Sequence, residues 1–458
     1  MFSITEIVAA TGGEVTGPST GTVNGVSTDS RTVAPNQLFV PLKGERFDGH
    51  AFIAQVASQG IHTLLAETSW LESHTVPRQV TCITVRNTLH ALGDLAATHR
   101  RRFTLPVIGV TGSNGKTTTK EMLAAILSQT GPGLKTAGNL NNLIGLPRML
   151  FDLNPSHRWV VLEMGMSEPG EIDRLAEITA PQIGIVLNAF PAHLESMGSV
   201  ENVARAKGEL LLRLPPGGCA VVNGDDPLIV GQPSPAGVRR LTFGLNNADV
   251  RATQIESLGI DGQRFRLRLP DADITVELHA FGRHTIYNAL AAAAAAHAVG
   301  ITPEIIAEGL AAFRPYDKRF QLEQVNGVLL IDDSYNANPA SMAAALATLA
   351  ELKGDRRAFV ALGDMLELGD NQEALHYEVG VQAAQMADRL YLYGDLTAHT
   401  AIGALSTGMP SSEVVRVQGH AEIVSDIISR ATKGDFVLVK GSRGMHMEKV
   451  ADGIRNRP

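Results

Sequence analysis

Between Thr111 and Thr119 the chain reads TGSNGKTTT, a stretch of glycines, one lysine and a run of hydroxyls. The apolar run Val107–Val110 enters it and a helical pattern, KEMLAAIL, leaves it. A strand, a glycine-rich turn and a helix N-terminus together make an anion site. Backbone N–H groups point at one spot, and the helix dipole favours negative charge there. Lys116 adds a point charge for β- and γ-phosphates, and Thr117 a hydroxyl for Mg2+. Gly112, Ser113, Asn114, Gly115, Lys116, Thr117 and Thr118 form the expected ATP-binding turn. Its spacing departs from the usual G-x-x-x-x-G-K-T, which needs glycine at position 110, where this chain has Val110. The chain has no N-K-x-D guanine motif, so ATP is the expected nucleotide.

Three later residues carry charge or ligand chemistry. Glu163 ends the apolar run WVVLEMG, and a carboxylate at the carboxyl end of a neighbouring parallel strand suits Mg2+ on a nucleotide. His193 follows the next apolar run, in VLNAFPAHLESMGS, and Lys207 lies in the helical pattern SVENVARAKGELLLRL. Each has a bland alternative when taken alone: a capping or surface glutamate, a structural histidine, a solvated helical lysine.

Such residues need a scaffold, and the apolar pattern supplies one. Before about residue 103, a capped amphipathic helix (SITEIVAATGG), a short strand (NQLFVPLKG) and a helix closed by Gly60 read as a small α/β unit. The basic stretch THRRRF reads as its helix end and linker. From Thr104 the apolar runs LPVIGVTG, RWVVLEMG and QIGIVLNAF alternate with helical patterns, which predicts a parallel sheet covered on both faces. Shorter strands, RFRLRLP and DITVELHAFG, follow, then an alanine-rich helix and PEIIAEGLAAF. After Pro315 a second series begins: GVLLIDDS, RAFVALGD, DRLYLYG, EVVRV and DFVLVKGS alternate with helices near 340–352, 371–387, 395–405, 420–432 and 446–456. This series reads as a Rossmann-like domain. The expected division is 1–103, 104–314 and 315–458, an α/β chain of three domains.

The 458 residues are 44% hydrophobic and 19% charged, enough apolar material for several cores. A net charge of −8 argues against nucleic acid or an anionic membrane as the main partner. Cys82 and Cys219 stand far apart, which fits a reduced, cytoplasmic protein rather than a disulfide scaffold. The N-terminus has no basic region before an apolar one, so no signal peptide is expected. The stretch NALAAAAAAHAVG is too short to span a bilayer, and no stable membrane insertion is expected.

Taken in order and at their spacing, TGSNGKTTT, GNLNNLIGLP, LEMGMSEPGEI, NAFPAHLESMGS and ARAKGEL resemble the central domain of the Mur ligase family. These are ATP-dependent amide-bond ligases of peptidoglycan precursor synthesis. The resemblance implies that Lys116 serves phosphate transfer, that Glu163 and His193 join Thr117 as Mg2+ ligands, and that Lys207 is the family's carbamylated lysine. It also implies nucleotide contacts by Asn288 in GRHTIYNALAAAAAA, Arg319 in YDKRFQ and Asp333 in IDDSYNANPASM. Tyr335 stands where a relative has a lysine after the Asp-Ser pair.

The segments DDSYNANPASM, ALGDMLELG and VKGSRGMHME resemble the member that adds D-alanyl-D-alanine to UDP-N-acetylmuramoyl-tripeptide (UDP-MurNAc-tripeptide). STDSRTVAPNQLFVPLKGERFDGHAFI is similar to its uridine-nucleotide-binding domain. The implied substrate contacts are Ser30, Arg31 and Asn142, with Asn139 and Asn141 as alternative alignments, for the UDP compound, and Asn336 and Asn338 for the dipeptide. A polar turn at Ser30–Arg31 and turn-forming asparagines before Pro339 are the alternatives. A monomer is expected. Two other readings stay open: a ligase of the same group adding the third peptide residue or glutamate to folate, and a protein that uses ATP only to change shape.

Overall fold

The computed structural model describes residues 1–44, 47–191, 194–316 and 318–456. Its chain divides into two compact units: Met1–Gly109 with Gly131–Met166 and Gly170–Gln182, and Val110–Thr130 with Ser167–Pro169 and Ile183–Pro458.

In the first unit, helix Ile4–Thr11 starts as its sequence predicts. Ser3 Oγ accepts from the Glu6 N–H at 3.2 Å, while the Glu6 carboxylate accepts from the Ser3 N–H at 2.8 Å. Both end groups of the turn are thereby satisfied. A five-stranded sheet follows in the order Glu14–Thr16, Thr81–Val85, Thr63–Glu67, Gln37–Phe39, Gly25–Ser27. Only the Glu14–Thr16 edge is antiparallel to its neighbour. Phe39, Ile53, Val56, Ile61 and Leu64 fill one face. Helix Thr88–Arg100 ends within THRRRF, and Arg174 of helix Glu171–Thr179 ties the two helices through Asp94 at 2.6 Å. Strand Val160–Glu163 runs parallel to the short strand Leu134–Lys135.

The second unit holds the strands Ile183–Val186, Cys219–Asn223, Arg239–Gly244 and Val250–Ser257, each parallel to the next, then Gln263–Leu269 and Ala272–Leu278 as antiparallel additions. Helix Arg283–Ala298 packs against them and against helix Lys116–Leu127. Its residues Ala289–Ala296 are wholly buried, as expected of an alanine-rich helix laid closely on a sheet.

A six-stranded sheet closes the chain in the order Gln321–Val325, Val328–Asp333, Phe436–Lys440, Ala358–Gly363, Arg389–Tyr393, Val414–Val417. All but the first strand are parallel, and apolar clusters cover both faces. Helices Pro339–Lys353, Gln372–Met386, Thr397–Ser406, His420–Arg430 and Glu448–Arg455 lie within a few residues of the ranges expected from the pattern. The antiparallel edge Gln321–Val325 was not expected: QLEQV has only two apolar residues, does not alternate, and lies mostly half-buried. No described helix is long and apolar enough to cross a membrane.

Candidate functional site

The phosphate-type turn follows strand Val107–Thr111, and helix Lys116–Leu127 starts at Lys116. Gly115 caps that helix with φ 87°, a left-handed conformation that glycine adopts at no steric cost. The same position needs the missing side chain for a second reason. A Cβ at Gly115 would fall 2.2 Å from Asn288 Oδ1, so glycine lets helix Arg283–Ala298 bring its asparagine against the turn. Lys116 folds back over the turn, and its Nζ donates to the Gly112 carbonyl at 2.7 Å. Thr117 is buried on the first helical turn and Thr118 half-buried beside it.

Three distant segments hold this turn. Asn188, just past strand Ile183–Val186, accepts at its carbonyl from the Ser113 N–H at 3.1 Å and at Oδ1 from the Asn114 N–H at 2.9 Å. Its Nδ2 donates back to the Asn114 carbonyl at 3.1 Å. Phe190 N–H donates to Ser113 Oγ at 2.9 Å. The Asn114 side chain exchanges two hydrogen bonds with Asn338, at 3.1 and 2.8 Å. Arg319 donates from Nη2 to Thr117 Oγ1 at 3.0 Å, its guanidinium 3.8 Å from the centre of the Tyr335 ring. Such a stack fixes the plane of an arginine that would otherwise sample many rotamers. Tyr335, standing where a relative has a lysine, is thus a platform rather than a charge.

Arg319 is aimed by a tight turn. Lys318 and Phe320 on either side have φ 57° and 51°, uncommon for residues with side chains. Asp333 Oδ1 accepts from the Phe320 N–H at 3.0 Å, and Tyr335 N–H donates to the Lys318 carbonyl at 3.2 Å. Asp333 is also paired with Lys440, at 2.6 Å, whose Nζ donates to the Asn336 carbonyl at 3.0 Å. Asn336 itself is exposed. Asn338 caps helix Pro339–Lys353, its Oδ1 accepting from the Ser341 N–H at 2.9 Å.

Lys207 is 3% exposed on helix Val200–Leu212. Burial above all, and then the positive charge of Lys116, push its amine well below the usual lysine range. Loss of hydration disfavours the ammonium form, and a second cation adds to it. A neutral amine is a nucleophile, which an ammonium is not.

Glu163, Asn142, Ser30 and Arg31 belong to the first unit. Glu163 is 2% exposed at the end of its strand, and its N–H donates to Thr136 Oγ1 at 2.8 Å. The asparagine-rich turn lies beside that strand end, since Gly165 N–H donates to the Asn141 carbonyl at 2.8 Å. Asn142 Oδ1 accepts from the N–H groups of Ile144 and Gly145, at 3.2 and 2.8 Å, at the start of helix Gly145–Leu150. Ser30 is half-buried, and Arg31 forks onto the Asp29 carboxylate at 2.9 and 2.7 Å. That pairing holds the Asp29 carboxyl well below the usual range. His193 lies outside the described residues. Among the described residues, no three His, Cys, Asp or Glu side chains gather as a metal cluster.

Asn188 and Lys440 escaped the sequence reading. The available signal was a polar residue directly after an apolar strand, in VLNAF and VLVKG, where parallel sheets place their ligand-facing ends.

Comparison with known proteins agrees over the whole chain. The Mur ligase middle domain matches residues 110–296, the Mur ligase glutamate ligase domain 318–443, and the Mur ligase family catalytic domain 22–100. The UDP-N-acetylmuramoyl-tripeptide--D-alanyl-D-alanine ligase of Escherichia coli strain K12 is 39% identical, covering 99% of each chain. A crystal structure of MurF from Acinetobacter baumannii superposes with a TM-score of 0.89 at 33% identity, covering 100% of this chain and 99% of that one. MurF ligase from Thermotoga maritima in complex with ADP gives 0.84 at 29% identity, covering 94% and 96%.

Proposed function

The chain belongs to the Mur ligase family, and on that premise we propose how its residues divide the work of one reaction. It is an ATP-dependent ligase that joins D-alanyl-D-alanine to UDP-N-acetylmuramoyl-tripeptide in peptidoglycan synthesis. The observation that carries this is the full-length likeness to ligases of that one name.

A carboxylate is a poor acyl donor, because its leaving group would be oxide. Phosphorylation by ATP gives an acyl phosphate, from which phosphate leaves when the dipeptide amine attacks. Carboxylate and γ-phosphate are both anions, so their approach requires fixed positive charge. In this reading Lys116, the N–H groups at the start of helix Lys116–Leu127, and Arg319 supply it. Gly112–Thr118 cradle the phosphates, Asn288 meets the nucleotide beside Gly115, and Asp333 keeps Arg319 on its turn while facing the nucleotide.

Mg2+ is assigned to Thr117, Glu163, His193 and Lys207. A hydroxyl, a carboxylate and an N-carboxylated lysine would each offer oxygen, the donor that suits a hard cation. When bound, it would supply positive charge that eases the approach of two anions. The Lys207 amine, held neutral, attacks CO2; an N–C bond forms and one proton is released, leaving a carbamate anion. Asn142, Ser30 and Arg31 are assigned to the UDP substrate and Asn336 to the dipeptide. The domain division 1–103, 104–314 and 315–458, a monomeric state and a cytoplasmic location complete the reading.

The test is phosphate release from ATP and Mg2+ with UDP-MurNAc-tripeptide, with and without D-Ala-D-Ala. Phosphate together with a UDP-linked pentapeptide, only when both substrates are present, is expected. Turnover without the dipeptide, or selective for another amino acid, refutes the assignment.

A further inference from the structure

The amide pair between the phosphate loop and helix Pro339–Lys353 is more than a packing contact. Asn114 Nδ2 donates to Asn338 Oδ1 at 3.1 Å, and Asn338 Nδ2 donates to Asn114 Oδ1 at 2.8 Å. A closed ring of two such bonds fixes the orientation of both amides as well as their separation. The peptide N–H and carbonyl of Asn114 are engaged by the Asn188 side chain, at 2.9 and 3.1 Å. Asn114 is therefore held by an asparagine on each side, one from a strand end and one from a helix cap. Asn338 is committed as well: its Oδ1 also accepts from the Ser341 N–H at 2.9 Å. Giving Oδ1 to a dipeptide would uncap the helix or release Asn114. The same segment touches the turn a second time, through Tyr335 beneath the Arg319 guanidinium that donates to Thr117.

We propose that Asn338 is a positioning residue for ATP: it holds Asn114, and through Asn114 the turn that sets the start of helix Lys116–Leu127 toward the phosphates, rather than contacting the dipeptide. This rests on the ligase reading above for which substrates are involved. Asn338→Ser keeps a capping oxygen but is too short for Asn114 and lacks the amide. Its ATP dissociation constant, read by calorimetric titration, is expected to rise about tenfold, as for two lost neutral hydrogen bonds. KM for ATP rises in parallel, while KM for D-Ala-D-Ala and the melting temperature stay near wild type. Asn114→Ser gives the same loss, and the double variant loses no more than either single one, because both remove one interaction. Asn338→Asp also keeps the cap and sets a carboxylate against Asn114 Oδ1, so ATP binding weakens at least as much.

An unchanged ATP affinity with a raised KM for the dipeptide overturns the proposal, and so do losses that add in the double variant. Titration reads ATP without ligation. A chain that binds ATP and never ligates would therefore sink the activity assignment and leave this inference standing.

Discussion

Two polar turns, each following a strand, are built in opposite ways. The turn after Val107–Thr111 is tied to Asn188, Arg319 and Asn338, which lie 74, 202 and 224 residues from their partners in the chain. By contrast, the turn after Gly25–Ser27 is held by its own neighbours: Arg31 grips Asp29 from two residues away, with its side chain 83% exposed. The first turn has its geometry set before any ligand arrives, so binding energy is not diverted into ordering it. The second keeps an arginine in water, where an ion pair is screened and easily exchanged for a ligand's phosphate. On the assignment proposed above, preorganisation belongs where bonds are made and broken, and exchangeable charge where a substrate is only held.

That contrast can be broken most severely at Lys116. Lys116→Ala should lower ligation by about a thousandfold, the scale of removing a preorganised charge from a transition state. The melting temperature should stay near wild type; an active variant removes the loop from the mechanism.

Lys207→Met sharpens the comparison from within the preorganised region. In the native state the lysine resists protonation, whereas the unfolded chain binds that proton up to about pH 10. Between the depressed native pKa and that limit the unfolded state carries more protons, so this group makes stability rise with pH. In CO2-free buffer the Met variant should melt higher than wild type, most clearly at the acidic end of that window, and lack ligase activity. Equal melting curves at every pH would mean the amine is not held neutral.

Arg31→Ala should have the smallest effect. A few-fold rise in KM for the UDP substrate is expected, with kcat, ATP affinity and melting temperature unchanged. A change in ATP affinity would erase the distinction between the two turns.

Much of this was legible in the sequence, because apolar periodicity and glycine placement are local signals. The run VIGVTG before a helical pattern fixes strand, turn and helix without reference to anything distant. Tyr335, Asn188 and Lys440 were not legible in the same way. Their roles depend on residues brought together by the sheets, and an asparagine after a strand looks alike whether it meets a phosphate loop or water. The edge Gln321–Val325 was missed for a different reason: with only Leu322 and Val325 apolar, it lacks the continuous apolar run that marked the central strands.

The alanine helix has a consequence for how the sequence can change. Ala289, Leu290 and Ala291–Ala296 have no exposed surface at all, on every side of the helix. Ordinary amphipathic helices leave a free face on which mutation can wander without penalty. Here each added methyl group must displace a neighbour, either the sheet or helix Lys116–Leu127. The helix that brings Asn288 to Gly115 thus acts as a spacer of fixed thickness: its sequence is poor in information to the eye, yet it leaves almost no neutral drift.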